Sequence, residues 1–311
     1  MKKSVFARSF AILLISCIFC SILSGCGSSS KSSSSEPPVY SPLRVLVPEA
    51  PGSDTLGSSP LTLDVSNITQ GYFAAQSDSA DLVTSLQITA PTGVLYSYFI
   101  EPGENAVIPF TEGDGDYTVV GYQQIQGDQY AALYSETLTV ELENEFLPFL
   151  YPNQYVNFSP DSEASKLALS MVSEDTSDID ALKQIYNYVV NNLSYDYDKA
   201  ETVETGYLPD VDETLSTKTG ICFDYAALTT AMLRSCDIPC KLQIGYTGDI
   251  KHAWIDVYIR SKGWVTGAVS FNGDSWSLMD PTFDSSADSD DTEAIQDYIG
   301  NADNYTVQFT R

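Results

Sequence analysis

The spacing of apolar residues changes near residues 146–152, and this change constrains the fold more than any other feature. Over residues 45–148, short apolar, β-branched or aromatic runs are separated by turn residues. Further along, apolar residues recur at helical spacing. Residues 146–152 read Phe-Leu-Pro-Phe-Leu-Tyr-Pro, which predicts a rigid junction. We therefore expect an all-β domain at 45–148 and a mixed α+β domain at 149–311.

The first domain is predicted to be a small sandwich. Short strands at this spacing are typical of an immunoglobulin-like fold. Residues of catalytic type do not cluster in it, and its tyrosines fit a sheet face better than a binding platform. Seven strands are expected, at 61–65, 82–89, 93–100, 106–110, 117–122, 130–134 and 137–142.

The second domain is predicted to place a helical half before an antiparallel sheet, an α+β arrangement. Ser177 fits the N-cap of a helix over 178–191, and Gly220 breaks the chain before an Ala/Leu-rich helix. Residues 159–172 also have helical spacing, whereas 195–198 indicate an extended or turn element. The sheet strands are expected at 241–246, 252–260, 264–268 and 276–279.

The first 25 residues have the features of a lipoprotein signal peptide. A basic start precedes an apolar run at 10–23 that is short for a membrane span. The run ends in Leu-Ser-Gly-Cys, a lipobox-like sequence that would leave Cys26 as a lipidated N-terminus. An ordinary signal peptide with a chance cysteine is the alternative. The Ser/Pro-rich segment 26–44 predicts a flexible tether, so we expect a lipid-anchored protein on the extracytoplasmic face of the cell membrane.

The chain is strongly acidic. Its net charge is −27, and loss of residues 1–25, with three basic and no acidic residues, would make it −30. Nucleic-acid phosphates need Lys and Arg partners, so this charge argues against nucleic acid as a partner. It fits either a solvated surface or a basic substrate, and solubility alone explains it adequately.

His252 is the single histidine among 311 residues. Only one side chain therefore has an unperturbed pKa near neutrality, and a histidine-rich metal site is excluded. His252 lies in an alternating stretch that predicts a strand. By itself it could be a packed core residue, but a nearby cysteine of the right kind makes it a candidate general base.

Cys222 is that cysteine, because it is expected at the start of the helix that follows Gly220. Helix N-termini present unpaired N–H groups and a positive dipole end, which favour the reactive thiolate. A small buried core residue is the alternative. Asp280, at the end of the last predicted strand, is the candidate that orients the imidazole, with a turn-forming Asp-Pro as the alternative.

These segments resemble the bacterial transglutaminase-like (transglutaminase core) superfamily, a papain-related cysteine fold. The resemblance covers about residues 160–285. It rests on Gly-x-Cys-x-Asp-Tyr-Ala at 220–226, His-Ala-Trp at 252–254 and Asp-Pro-Thr at 280–282, with support from 195–197 and 238–241. It implies Cys222 as nucleophile, His252 as general base and then acid, and Asp280 as orienter. It also implies an oxyanion hole built from the Cys222 N–H and a second donor, for which Tyr195 and Tyr197 are the candidates.

The implied chemistry is attack on an amide or peptide bond of a protein or cell-wall peptide through a thioester intermediate. Water as acceptor gives a protease or amidase, and an amine gives a transglutaminase. The alternative is a non-catalytic binding or scaffold module on the same fold. Asp224, Tyr225 and Trp254 are expected to be structural or to line the groove. No cofactor or metal is expected, and the acidic loop 284–291 lacks the register of a calcium-binding EF-hand.

The other two cysteines of the mature chain test the helix prediction. Over a helix, Cys222 and Cys236 would lie about 21 Å apart, and a disulfide needs Cα atoms within about 7 Å. Cys236 and Cys240 flank a turn and are expected either to pair or to be packed thiols. Cys222 is expected to stay free in both cases.

Overall fold

The structure is a computed structural model in which residues 44–271, 276–278 and 305–311 are described. The predicted signal peptide and nearly all of the predicted tether lie outside these residues. Among the described residues, no helix is long and apolar enough to span a membrane.

The first part of the chain is a sandwich of two antiparallel sheets with a shared apolar core. One sheet has the strand order β1-β2-β3-β6 and the other β5-β4-β7-β8. Leu61, Phe73, Leu86 and Val119 from both sheets meet in the core and are fully buried. The strands are β1 (Thr55–Ser58), β2 (Leu61–Asp64), β3 (Tyr72–Ser77), β4 (Thr84–Thr89), β5 (Leu95–Ile100), β6 (Asn105–Pro109), β7 (Gly115–Gln126) and β8 (Gln129–Val140).

The sandwich differs from the predicted strand list in three places. β1 and β3 were not predicted, because their sequences, Thr-Leu-Gly-Ser and Tyr-Phe-Ala-Ala-Gln-Ser, carry few β-branched residues. The two strands predicted at 130–134 and 137–142 are one long strand, β8, whose pairing with β7 shifts register between Gly121 and Tyr122. The register shift lets one strand run through both apolar segments.

The second part of the chain combines helices with a five-stranded antiparallel sheet of order β14-β13-β12-β11-β15. A short parallel pair, β9 with β10, lies outside that sheet. The elements are α1 (Glu163–Met171), α2 (Asp178–Asn192), β9 (Ser194–Tyr195), α3 (Tyr197–Thr202), α4 (Val211–Thr217), β10 (Thr219–Gly220), α5 (Cys222–Ser235), β11 (Cys240–Thr247), β12 (Ile250–Ile259), β13 (Gly263–Phe271), β14 (Trp276–Leu278) and β15 (Tyr305–Thr310).

Helix α5 is the centre of this part. Every residue from 224 to 235 is buried, so other elements enclose the helix on all sides. Its side chains share one core with α1, α2, α4 and with Ala253, Ile255 and Val257 of β12. The start of α5 is thereby held close to the start of β12.

The chain between residues 193 and 221 runs as a short strand, two helices and a second short strand. Asp196 caps α3 by accepting the Lys199 N–H at 2.9 Å, and its own N–H donates to the Gly220 carbonyl at 2.9 Å. Asp210 caps α4 through the N–H groups of Asp212 and Glu213. Helix α3, helix α4 and β15 were not predicted from the sequence.

Two buried arginines join the parts of the fold. Arg234, at the end of α5, donates to the carbonyls of Tyr151, Cys240 and Arg311 at 2.7–3.0 Å. Burial lowers the pKa of Arg234 to about 10. The Arg311 guanidinium stacks on aromatic rings from the sandwich and from the second part, at 4.2–5.3 Å from the ring centroids of Tyr96, Tyr98, Tyr155 and Phe309.

Candidate active site

Cys222 is the first residue of α5, as the sequence predicts. The turn before it is tight, because Asp224 packs directly against Gly220. A Cβ placed on Gly220 would lie 2.6 Å from the Cβ of Asp224, so a larger residue would not fit there. The Asp224 carboxylate accepts the Ile221 N–H at 2.8 Å and satisfies one of the donors that a helix start leaves unpaired. The local sequence therefore dictates where the thiol is presented.

Three donors converge on the Cys222 sulfur. They are the N–H of Phe223, the N–H of Ala253 and the hydroxyl of Tyr195. Each favours the thiolate, but burial outweighs them and raises the pKa of Cys222 above its ordinary value. The helix start therefore favours the thiolate through the Phe223 N–H, but desolvation of the charged form has the larger effect on the pKa of Cys222.

His252 lies on β12 directly before Ala253, whose N–H donates to the Cys222 sulfur. The structure thus brings the chain at His252 to the nucleophile. Its side chain is 9% exposed and is stacked on Trp254, with ring centroids 6.2 Å apart. Burial lowers the pKa of His252 to about 4, so the imidazole is neutral at pH 7 and able to accept a proton.

The structure distinguishes the two tyrosines proposed from the sequence. The Tyr195 hydroxyl accepts the Cys222 N–H and donates to the Cys222 sulfur. Burial, and then the charge of the nearby thiolate, raise the pKa of Tyr195 to about 12, so it remains a hydroxyl donor at neutral pH. Tyr197 packs edge-on against Tyr195 at 5.0 Å, and 59% of its surface is exposed.

Two predicted residues, Asp280 and Cys26, lie outside the described residues. A polar cluster at the start of α5 was not predicted from the sequence. Lys199 and Tyr207 both contact the buried carboxylate of Asp224. No sequence pattern indicated this cluster, since Lys199 lies on α3 and Tyr207 in the connection that follows it.

All three described cysteines are free thiols. Cys236 and Cys240 are fully buried, and burial raises the pKa of each to about 12. Of the two alternatives for this pair, the structure shows packed thiols. Within the described part of the chain, no group of three His, Cys, Asp or Glu side chains is placed to hold a metal ion.

A cavity of about 360 Å³ adjoins the polar cluster of Lys199, Tyr207 and Asp224. It lies between α3, α4 and β10. Two of its lining residues, Asp196 and Thr219, are the chain neighbours of Tyr195 and Gly220. Its lining is polar and consists of Asp196, Lys199, Tyr207, Glu213, Thr214, Thr217 and Thr219.

The described site lies in a part of the chain that matches a known family model. Residues 165–267 match the family model of the transglutaminase-like superfamily. The match includes Tyr195, Cys222 and His252 and ends before Asp280.

Two curated relatives match parts of the chain. A UPF0252 protein of Methanocaldococcus jannaschii is 40% identical over 62 residues, which is 18% of this chain and 18% of that protein. The uncharacterized protein YebA of Bacillus subtilis is 24% identical over 183 residues, 51% of this chain and 25% of YebA. The chain thus spans a quarter or less of the length of these relatives.

Two solved structures are similar to part of the chain at low identity and low TM-score. One, from Cytophaga hutchinsonii, is provisionally named a cysteine protease; it is 19% identical, with a TM-score of 0.35 over 63% of this chain and 73% of its own. The other is the periplasmic domain of TgpA from Pseudomonas aeruginosa bound to ethylmercury. It is 15% identical, with a TM-score of 0.31 over 68% of this chain and 95% of its own.

The single histidine allows a direct test of the electrostatics of the site. We predict that the one imidazole signal in a ¹H–¹³C NMR titration will have its midpoint near pH 4, because burial disfavours the charged form. The unfolded chain titrates near pH 6.5. The folded state therefore loses up to about 3 kcal/mol of stability as the pH falls from 6.5 to 4. His252→Gln is the control for that loss, and a folded-state midpoint at 6.5 or above would contradict this prediction.

Proposed function

From a chain that carries a transglutaminase-like core, we propose a cysteine enzyme that acts on amide or peptide bonds through a thioester. One observation carries the proposal: the sulfur of Cys222 accepts hydrogen bonds from Tyr195, from its own helix start and from the residue after the single histidine. Acyl transfer to sulfur needs a base close to the thiol, and the strand that carries His252 contacts the sulfur through the next residue, Ala253.

In the proposed reaction, His252 takes the Cys222 proton as the sulfur attacks the substrate carbonyl. The electron pair of the carbonyl moves onto its oxygen, and the Cys222 N–H and the Tyr195 hydroxyl exchange their resting hydrogen bonds, to Tyr195 and to the sulfur, for bonds to this oxygen. Collapse of this intermediate breaks the C–N bond, and the imidazolium of His252 protonates the leaving amine. Water or a second amine then attacks the thioester and releases the sulfur. Asp280 is proposed to orient the imidazole.

The resting site is neutral. The raised pKa of Cys222 and the lowered pKa of His252 have the same cause, burial, and together they disfavour a thiolate–imidazolium pair before substrate binds. The proton transfer is therefore coupled to attack on the substrate, where the developing charge moves to the oxyanion donors.

The second candidate function is a non-catalytic binding or scaffold module. The raised pKa of Cys222 favours it, since a protonated, partly buried thiol is also what a structural cysteine would be. The two candidates differ in whether the imidazole assists the thiol, and this difference is measurable.

We predict that iodoacetamide at pH 7 labels Cys222 of the purified protein, and that His252→Ala slows this labelling about 10²-fold, the lower end of what a general base contributes. Mass spectrometry of the Cys222 peptide gives the rate. Lys251 is an exposed neighbour on the same strand, so Lys251→Ala is the matched control and should leave the labelling rate of Cys222 unchanged. Equal and slow labelling of wild type and His252→Ala would support the non-catalytic module instead.

The two tyrosines provide a second test. We predict that Tyr195→Phe reduces acylation by p-nitrophenyl acetate about 10²-fold, as expected for the loss of one oxyanion donor. Tyr197→Phe removes the same atom from the exposed neighbour and should stay within about twofold of wild type. The rate of acylation is measured from the release of p-nitrophenol. An equal effect of both substitutions would remove Tyr195 from the oxyanion hole.

We also propose an extracytoplasmic, lipid-anchored location, with Cys26 as the anchor and proteins or cell-wall peptides as substrates. The support is the basic start, the apolar run and the Leu-Ser-Gly-Cys sequence. The sandwich would then act as a spacer or partner-binding domain. Its two antiparallel sheets, between which the chain crosses at β3–β4, β5–β6 and β6–β7, support an immunoglobulin-like classification.

The anchor is tested by expressing the full chain in a bacterial host and separating the membrane fraction with detergent. We predict that the wild-type protein enters the detergent phase and that Cys26→Ser moves it to the aqueous phase. Cys20→Ser, which changes a cysteine that cleavage would remove, should behave as wild type. Partition of Cys26→Ser into detergent would exclude lipidation at this residue as the anchor.

A further inference from the structure

Asp224 carries the most enclosed charge in the site. Its side chain is 0% exposed, and both carboxylate oxygens have partners. One oxygen accepts the Ile221 N–H and the Lys199 ammonium, each at 2.8 Å, and the other accepts the Tyr207 hydroxyl. A carboxylate without such partners would be very costly at this depth.

Lys199 is placed by the same backbone that forms the site. It lies in the first turn of α3, whose cap Asp196 bonds to the carbonyl of Gly220 and follows Tyr195 directly. The Lys199 ammonium also donates to the Tyr207 hydroxyl at 2.7 Å and lies 4.4 Å from the centre of that ring. Helix α3 therefore aims one cation at the turn that presents Cys222.

The thiol has a mixed electrostatic environment. Asp224, two residues along α5, opposes ionisation of Cys222, whereas the Tyr195 hydroxyl and two N–H groups favour it. Of the described side chains that act electrostatically on Cys222 or Asp224, namely Tyr195, Tyr207, Tyr225 and Lys199, Lys199 alone is a cation.

We infer that Lys199 is a positioning residue for the nucleophile: its ammonium holds and neutralises the Asp224 carboxylate that shapes the turn before Cys222. This inference rests on the proposed function, since it assigns Lys199 to the control of the same thiol. Asp224 builds the turn by accepting the Ile221 N–H, and Lys199 prevents that carboxylate from suppressing the thiolate. Asp224 thus gives the turn its shape, and Lys199 offsets the effect of the Asp224 charge on the thiol.

We predict that two substitutions shift the midpoint of the pH profile of Cys222 alkylation by iodoacetamide in opposite directions. Lys199→Met exposes the thiol to an uncompensated carboxylate and should move the midpoint up by about one pH unit. Asp224→Asn leaves the Lys199 cation without its carboxylate and should move the midpoint down. A purely structural role would loosen the turn in both variants and would shift both midpoints in one direction.

Three further variants complete the experiment. Lys199→Arg keeps the charge and should restore the wild-type midpoint. Lys166→Met breaks a surface pair with Glu163 of the same 2.8 Å length and should leave it unchanged. The double variant Lys199→Met with Asp224→Asn should return toward wild type, and it replaces Lys199→Met if a thermal melt shows that the single variant is unfolded.

An unchanged midpoint in folded Lys199→Met, or shifts of the same sign in Lys199→Met and Asp224→Asn, would overturn the inference. Alkylation needs no substrate, so a failure of the acylation test leaves these midpoints interpretable. Conversely, if acylation is normal and the midpoints do not shift, the role of Lys199 is rejected and the proposed function is not.

Discussion

The site depends on how the first turn of α5 is stabilised inside the protein. A helix start leaves several N–H groups without partners, and here that start is packed against β9, β10 and β12. Asp224 satisfies the Ile221 N–H from within the turn, and Gly220 leaves room for it to do so. The N–H groups of Cys222 and Phe223 are then turned toward the Tyr195 hydroxyl and the sulfur. Loss of this acceptor would leave the Ile221 N–H without its side-chain partner in the turn.

Burial determines the charge state of the site, with hydrogen bonding as a correction. The same enclosure raises the pKa of Cys222, lowers that of His252 to about 4 and raises that of Tyr195 to about 12. All three groups are therefore neutral at pH 7. A neutral constellation of donor, acceptor and nucleophile costs less to bury than an ion pair, and it becomes charged only as the reaction proceeds.

Local sequence signals anticipated much of this. Ser177 caps α2, and Gly220 precedes a helix that starts at Cys222, because caps and helix breaks depend on a few adjacent residues. The strand at His252 followed from alternation of side-chain type. What the sequence did not indicate depends on contacts between distant segments. The pairing of β15 with β11 spans about 60 residues, and Lys199 reaches Asp224 across 25 positions. The sequence indicated that the helix start favours the thiolate, but it did not indicate the desolvation that raises the pKa of Cys222. Tyr195 and Tyr197 are indistinguishable by pattern, and only the packing against Cys222 separates them.

The central claim is that Cys222 carries an acyl group during turnover. The most direct measurement is the intact mass of the protein, acid-quenched within seconds of mixing with a glutamine- and lysine-containing peptide. The account predicts an added acyl mass that maps to Cys222, is released by hydroxylamine and is absent from Cys222→Ser. Turnover of the peptide with no such adduct, or an adduct that maps to another residue and persists in Cys222→Ser, would contradict it.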